Sequence, residues 1–370
     1  MSLGNGIGLK FDDGCTQDEL FAYSYGSFVL ELTDNKDKVG LPLGVTVADG
    51  SLTWREQTIS AEDLLNAYEG KLEPIYTCNI TQGEKEIPTL TYESDSWKKP
   101  LIKSAKPRVL IPVFPGTNCE YDAAKAMRNA GAEPEIVVIK NQNAADIAAS
   151  MDLIAKKLGE SQIVFIPGGF SGGDEPDGSA KFITSFFRAG KIKDQVHELL
   201  KNRDGLMLGV CNGFQALIKL GLVPYGEIID TDENCPTLTF NTIGRHQSRL
   251  VQTRVASNKS PWLMNTKPGE IHTVPISHGE GRFLASEELI QKLAANGQIA
   301  TQYVDLAGNP TADIHFNPNN SAYAVEGITS PDGRVFGKMG HTERTGAGLY
   351  INVPGEYDMK IFRSAVEYFK

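Results

Sequence analysis

Leu206-Met207-Leu208-Gly209-Val210-Cys211-Asn212-Gly213-Phe214 decides how this chain is read. A short apolar run at 206–210 ends in G-x-C-x-G and passes into helix-forming sequence as far as Leu220. Such a run, too short for a helix, reads as a strand buried on both faces. Glycines at 209 and 213 permit a sharp strand-to-helix turn that lifts the middle side chain off the sheet edge, the cysteine form of a nucleophile elbow. The Cys211 thiol then stands at a helix N-terminus, where free amides and the helix dipole favour a thiolate. A lone cysteine is more often a small apolar core residue. The flanking glycines, the strand before and the helix after favour a nucleophile here.

The same rhythm extends upstream. Strands are expected at 109–114, 135–139 and 163–166, and helices at 120–130, 146–158 and over the long stretch 179–200. Short apolar strands alternating with helices imply an α/β fold, a doubly wound, mostly parallel sheet covered on both faces. In such sheets sites lie beyond the C-terminal strand ends. That brings the Pro167-Gly168-Gly169-Phe170 loop towards Cys211. After Pro236 the texture shifts to short strands, expected at 237–242, 249–255, 270–276, 322–328 and 335–339, with a last helix at 356–368. The first hundred residues differ. A strand is expected at 20–32, a capped helix starting at Ser60, and short strands at 75–80 and 87–92. The polar, proline-punctuated stretch from Glu93 to Pro107 reads as a boundary. The expected organisation is therefore a partial α+β segment at 1–98, a linker at 99–107 and the α/β domain at 108–370.

Of the 370 residues, 36 are Lys or Arg and 46 are Asp or Glu, a net charge of −10 that argues against a broad nucleic-acid surface. No apolar run approaches the roughly 18 residues of a membrane span, and no signal peptide is expected, so the expectation is a cytoplasmic protein. Five cysteines without regular spacing read as reduced thiols. Cys15, Cys78 and Cys235 are expected to be structural. Cys119 follows a strand but its turn lacks the second glycine.

An activated cysteine needs a histidine, and the histidine an orienting carboxylate. Two His-x-Glu pairs are present, His278-Gly279-Glu280 and His341-Thr342-Glu343. In an extended segment this spacing points both side chains to one face. Both pairs follow expected strands, and spacing does not choose between them.

With Pro167-Gly168-Gly169-Phe170-Ser171 before and His341-Thr342-Glu343-Arg344 after, Gly209-Val210-Cys211-Asn212-Gly213-Phe214-Gln215 resembles the class I (triad) glutamine amidotransferases. Three further stretches, Phe114 to Glu120, Gly169 to Asp174 and Ser277 to Arg282, are similar to the glutaminase domains of phosphoribosylformylglycinamidine synthases, from about Arg108 to Lys370. The resemblance implies a flavodoxin-like domain in which Cys211 attacks the side-chain amide of glutamine, His341 shuttles protons and Glu343 orients it. It implies oxyanion donors at Asn212 and in the Gly168-Gly169 loop, and glutamine contact at Gln215. His278, Glu280 and Arg282 match a loop near the site, without an assigned step. Gly340 and Thr342 stand where the family often has prolines, and the acidic run at 174–177 reads as a solvated loop with no metal site.

The resemblance also implies that residues 1–98 are the tail of a synthase domain. No cofactor is expected in this chain. ATP and Mg2+ are expected in the remainder of that domain, which would be the partner receiving ammonia for purine synthesis. Two alternatives stay open: a stand-alone thiol hydrolase of γ-glutamyl or peptidase type, and a non-catalytic docking scaffold.

Overall fold

The computed structural model describes residues 2–34, 36, 39–77, 80, 86–171 and 180–370. Cys78, part of the strand expected at 75–80 and the acidic run at 174–177 lie outside the described residues. Contacts divide the chain into two units, Met1–Asn79 and Ile80–Lys370.

In the first unit β1 (Gly8–Phe11), β2 (Gly44–Val47), β3 (Ser51–Trp54) and β4 (Gln57–Ser60) form a sheet of order β2-β1-β3-β4. Ser60 caps the helix Ala61–Gly70 as expected, its hydroxyl accepting from Asp63 N–H at 2.9 Å. The strand expected at 20–32 does not form. A helix, Gln17–Phe21, is closed by a capping box of Thr16 and Glu19, and residues 22–34 join no strand. Tyr23 and Tyr25 are 91% and 93% exposed. β-propensity reports a fit to a half-buried pleated surface, and these aromatics have none.

The second unit is built on a nine-stranded sheet. Its parallel half comprises β5 (Arg108–Val113), β6 (Glu133–Val138), β7 (Ile163–Ile166), β8 (Leu206–Val210) and, last in sequence, β15 (Val335–Lys338). Their spatial order is β6-β5-β7-β8-β15, the flavodoxin-like order 2-1-3-4-5. Four antiparallel strands continue from β15: β14 (Val325–Thr329), β13 (Ile299–Val304), β10 (Gln247–Val255) and β11 (Ile271–His278). β9 (Thr237–Phe240) and β12 (Glu280–Leu284) pair separately.

β7 and β8 fall where the apolar runs place them, and every residue of both is buried. Each such aliphatic side chain stabilises the fold by about 1.5–3 kcal/mol relative to exposure. The helix Asn212–Leu220 is buried on all sides except at Lys219 and packs on β8 and β15. The long helix expected at 179–200 is broken at Ala189 into Lys181–Arg188 and Gly190–His197. β12, β13 and the Ser286-capped helix Glu287–Ala295 have no counterpart among the expected elements.

The division at 79/80 differs from the linker expected at 99–107, because the polar stretch is bonded into the second unit. Leu90 N–H donates to Gln302 Oε1 at 2.9 Å, Tyr92 N–H to Ala256 O at 2.8 Å and Trp97 Nε1 to Asn258 O at 2.8 Å. Lys98 pairs with the buried Asp204 at 3.1 Å. No helix among the described residues is long and apolar enough to cross a membrane.

Candidate active site

The C-terminal ends of β5, β7, β8 and β15 converge on Cys211. Leaving β8, Cys211 takes φ 52° and ψ −108°, a conformation that L-residues rarely occupy and that persists only where the surroundings impose it. The flanking glycines are what permit it. A Cβ at Gly213 would lie 2.0 Å from Ile166 O, and one at Gly209 would lie 2.6 Å from Gly213 C. Cys211 N–H donates to Lys338 O at 2.9 Å, tying the elbow to β15. Its carbonyl accepts the first helical bond, from Gln215 N–H at 3.0 Å. The thiol donates to Ser277 O at 3.5 Å. The four described cysteines, Cys15, Cys119, Cys211 and Cys235, are free thiols.

Of the two His-x-Glu pairs, His341 and Glu343 are bonded to each other. His341 Nδ1 lies 2.6 Å from Glu343 Oε1, both side chains essentially buried. Burial opposes the imidazolium, but the Glu343 charge and the neighbouring Cys119 and Cys211 sulfurs outweigh it and hold His341 well above the usual histidine range. Burial likewise opposes the Glu343 carboxylate, and the imidazolium overrides it, holding Glu343 below its usual range. His341 Nε2 is buried without a hydrogen-bond partner, an unused proton position inside the site.

Gly168 is wedged among these groups. A Cβ there would lie 2.7 Å from His341 Cε1, 3.2 Å from Cys119 Sγ and 3.3 Å from Cys211 Cβ. Gly169, at φ 142°, faces the β5 loop, where a Cβ would meet Gly116 O at 2.6 Å. Asn212 Oδ1 accepts from Ser171 N–H at 3.2 Å, and its Nδ2 donates to Gln215 Oε1 at 2.8 Å. Gln215 Nε2 donates in turn to Glu280 O. Gln215 thus bridges the nucleophile helix to the His278–Arg282 loop through bonds inside the protein.

That loop divides. His278 Nδ1 shares a 3.2 Å hydrogen bond with Asn241 Oδ1, and its Nε2 is buried without a partner. Burial, with smaller contributions from His341 and His246, pushes His278 down to about 3, so it is neutral at physiological pH. Arg282 Nε donates to Asn320 O at 3.3 Å.

Two residues to which the sequence reading gave no role stand at the site: Cys119, set aside as a nucleophile, and Arg344, quoted only as part of the His341 motif. Cys119 Sγ is 3.9 Å from His341 Nδ1, and Arg344 Nη2 is 2.8 Å from that sulfur. The signal for Cys119 was its place after β5, beside the switch point of the strand order. Arg344 follows the His-x-Glu pair directly. Cys119, His341 and Glu343 hold donor atoms within 4.8 Å of one another, the one group among the described residues able to ligate a metal ion. The Arg344 guanidinium on the sulfur opposes a second cation there.

The profile of the CobB/CobQ-like glutamine amidotransferase domain matches residues 106–369. The phosphoribosylformylglycinamidine synthase subunit PurQ of Methanococcus maripaludis strain C7 is 36% identical over 289 residues, 71% of this chain and 97% of that protein. The PurQ subunit of Treponema denticola is 36% identical over 251 residues, 64% of this chain and 88% of its own length. A chain in the structure of PurLQS from Thermotoga maritima superposes with a TM-score of 0.52 at 27% identity, over 72% of this chain and all of that one. The elbow, the buried His–Glu pair and these likenesses agree: the chain belongs to the CobB/CobQ-like glutamine amidotransferase family.

Proposed function

We propose that this chain is the glutaminase half of a phosphoribosylformylglycinamidine synthase, with Cys211, His341 and Glu343 as its catalytic residues. The observation that carries the reading is the strained cysteine elbow beside a buried His341–Glu343 pair joined at 2.6 Å. Cys211 Sγ, as the thiolate that has passed its proton to His341, attacks the side-chain carbonyl carbon of glutamine. The developing oxyanion is met by backbone amides of Asn212 and the Gly168-Gly169 loop, donors worth about 10²–10³ in rate each in such sites. The C–N bond breaks as His341 gives its proton to the leaving nitrogen, and ammonia departs. A γ-glutamyl thioester remains. Water, losing a proton to His341, attacks it, glutamate leaves and the thiol is restored. Glu343 holds the ring and stabilises the imidazolium, which the raised proton affinity of His341 makes the resting form.

The relatives are named as synthase subunits, and one is solved within a PurLQS assembly. On this reading the ammonia passes to an ATP-dependent synthase component in purine biosynthesis. On the same reading residues 1–98, which precede the matched residues 106–369, are synthase-side polypeptide. A stand-alone hydrolase or a docking scaffold is not favoured, since the family match is to amidotransferases and the chain carries Cys211, His341 and Glu343, the residues proposed for the reaction.

Treatment with a chloroketone analogue of glutamine, followed by peptide mapping, tests the assignment. Covalent addition at Cys211, with glutaminase activity abolished in Cys211→Ala, is expected. Labelling at Cys119 instead, or full activity in Cys211→Ala, overturns it.

A further inference from the structure

The peptide that leads into His341 is gripped by a buried ion pair. Glu326 on β14 and Lys338 at the end of β15 are both wholly buried, their charged atoms 3.1 Å apart. Glu326 Oε1 accepts from Gly340 N–H at 2.6 Å, and Lys338 Nζ donates to Gly340 O at 2.9 Å. Both polar groups of one glycine are therefore held by side-chain charges. The other carboxylate oxygen, Oε2, accepts from Thr301 Oγ1. The next amide, His341 N–H, donates to Pro275 O at 2.8 Å.

Two further facts tie this pair to the chemistry. Lys338 O is the acceptor for Cys211 N–H at 2.9 Å, so one residue holds the nucleophile by its backbone and the histidine segment by its side chain. Gly340 has no space for a side chain: a Cβ would lie 2.5 Å from Val274 Cγ1, 3.0 Å from Glu326 Oε1 and 3.1 Å from Lys338 Nζ. Residues 339–344 have no strand ladder and no proline to stiffen them. An ion pair removed from water on all sides is a poor source of stability, because apolar side chains of the same volume serve a core as well or better. This one spends one bond from each partner on a single residue, Gly340, beside the proposed general base.

We infer that Glu326 and Lys338 are positioning residues of the glutaminase, acting through Gly340 to hold the His341 imidazole in register with Cys211. Neither side chain makes a hydrogen bond or ion pair with the Cys211 thiol or the His341 ring among the described residues. The inference rests on His341 being the proton carrier.

The test replaces the pair by apolar side chains, Glu326→Leu with Lys338→Met, in the full chain. The expected result is a thermal midpoint close to wild type, a glutaminase kcat lowered at least 10-fold and a KM for glutamine within 2-fold. Alkylation of Cys211 by iodoacetamide, read on its own peptide by mass spectrometry, slows in parallel. Wild-type kcat in the folded double variant overturns the inference. Amide exchange in the wild-type protein keeps the question open to refutation if the variant fails to fold. Gly340 N–H is expected to exchange as slowly as the β8 amides, and exchange at the rate of an exposed turn overturns the clamp. His341→Ala separates the layers. Retained activity there defeats the assignment of His341 itself, whereas an inactive His341→Ala beside a fully active double variant defeats only the positioning role.

Discussion

His278-Gly279-Glu280 and His341-Thr342-Glu343 have the same residue types at the same spacing and opposite chemistry. The first lies on extended backbone, His278 ending β11 and Glu280 opening β12, the geometry in which spacing of two aligns side chains. Its imidazole nevertheless bonds to Asn241, and burial keeps it neutral. The second lies in a turn, closed by Arg344 N–H donating to His341 O at 3.1 Å, and there imidazole and carboxylate meet. Whether such a pair joins is thus decided by how the surrounding backbone is held. Alternation along a strand is not sufficient. A buried ring beside a carboxylate is kept basic by that charge in spite of burial, whereas a buried ring beside an amide stays neutral.

The largest expected break in this comparison is in rate. Glu343→Gln keeps the shape but removes the charge, and glutaminase kcat is expected to fall by roughly 10²–10⁴, as for orienting carboxylates of other triads. Glu280→Gln is expected to change it by less than about 10-fold, because Glu280 grips Gln215 through its backbone carbonyl, which the substitution leaves in place. Steady-state kinetics on the two variants side by side decide it. Equal losses would mean that the pairs are not functionally distinct.

Next comes acid stability. His278 binds its proton more weakly folded than unfolded, so its contribution is present above about pH 6.5 and is lost as pH falls towards 3. At pH 4 the loss is roughly 3 kcal/mol. Urea unfolding at pH 7 and pH 4 is expected to show a shallower decline in His278→Gln than in wild type. An unchanged slope would place the charge-free state of His278 in error.

The smallest effect has the opposite sign. His341 binds its proton more tightly folded, so its contribution is full below pH 6.5 and fades as pH rises through its raised value. Glu343 adds stability above about pH 4.5 and loses it as pH falls through its lowered value. Glu343→Gln is therefore expected to flatten the alkaline decline in stability, measured by thermal unfolding from pH 6 upwards.

Much of the fold was legible because the parallel strands are short, uniformly apolar and buried on both faces, as in Ile163–Ile166 and Leu206–Val210. Ile299–Val304 was not, because it carries Thr301 and Gln302 into the core. Gln302 is satisfied there by Leu90 N–H, Pro88 O and Tyr323 O, partners distant in sequence. The aromatic run at 20–32 misled for the converse reason: its residue types suit a sheet surface that the chain does not provide. At the site, Cys211 announces itself through two adjacent glycines. Glu326 and Lys338 make their contacts across strands, so no local pattern marks them. Spacing alone left the two histidine pairs undivided for the same reason, and it is the resemblance that points to His341.

The backbone at Cys211 has a consequence for what selection can do at that position. At an ordinary site Gly is less stable than Ala by about 0.5–1 kcal/mol. At φ 52° the order is expected to invert, with Cys211→Gly unfolding at a temperature at or above that of Cys211→Ala, because glycine alone is at ease there. The thiol is thus carried at a position where the backbone itself favours glycine, and design guided by stability alone would have no reason to keep the proposed nucleophile there.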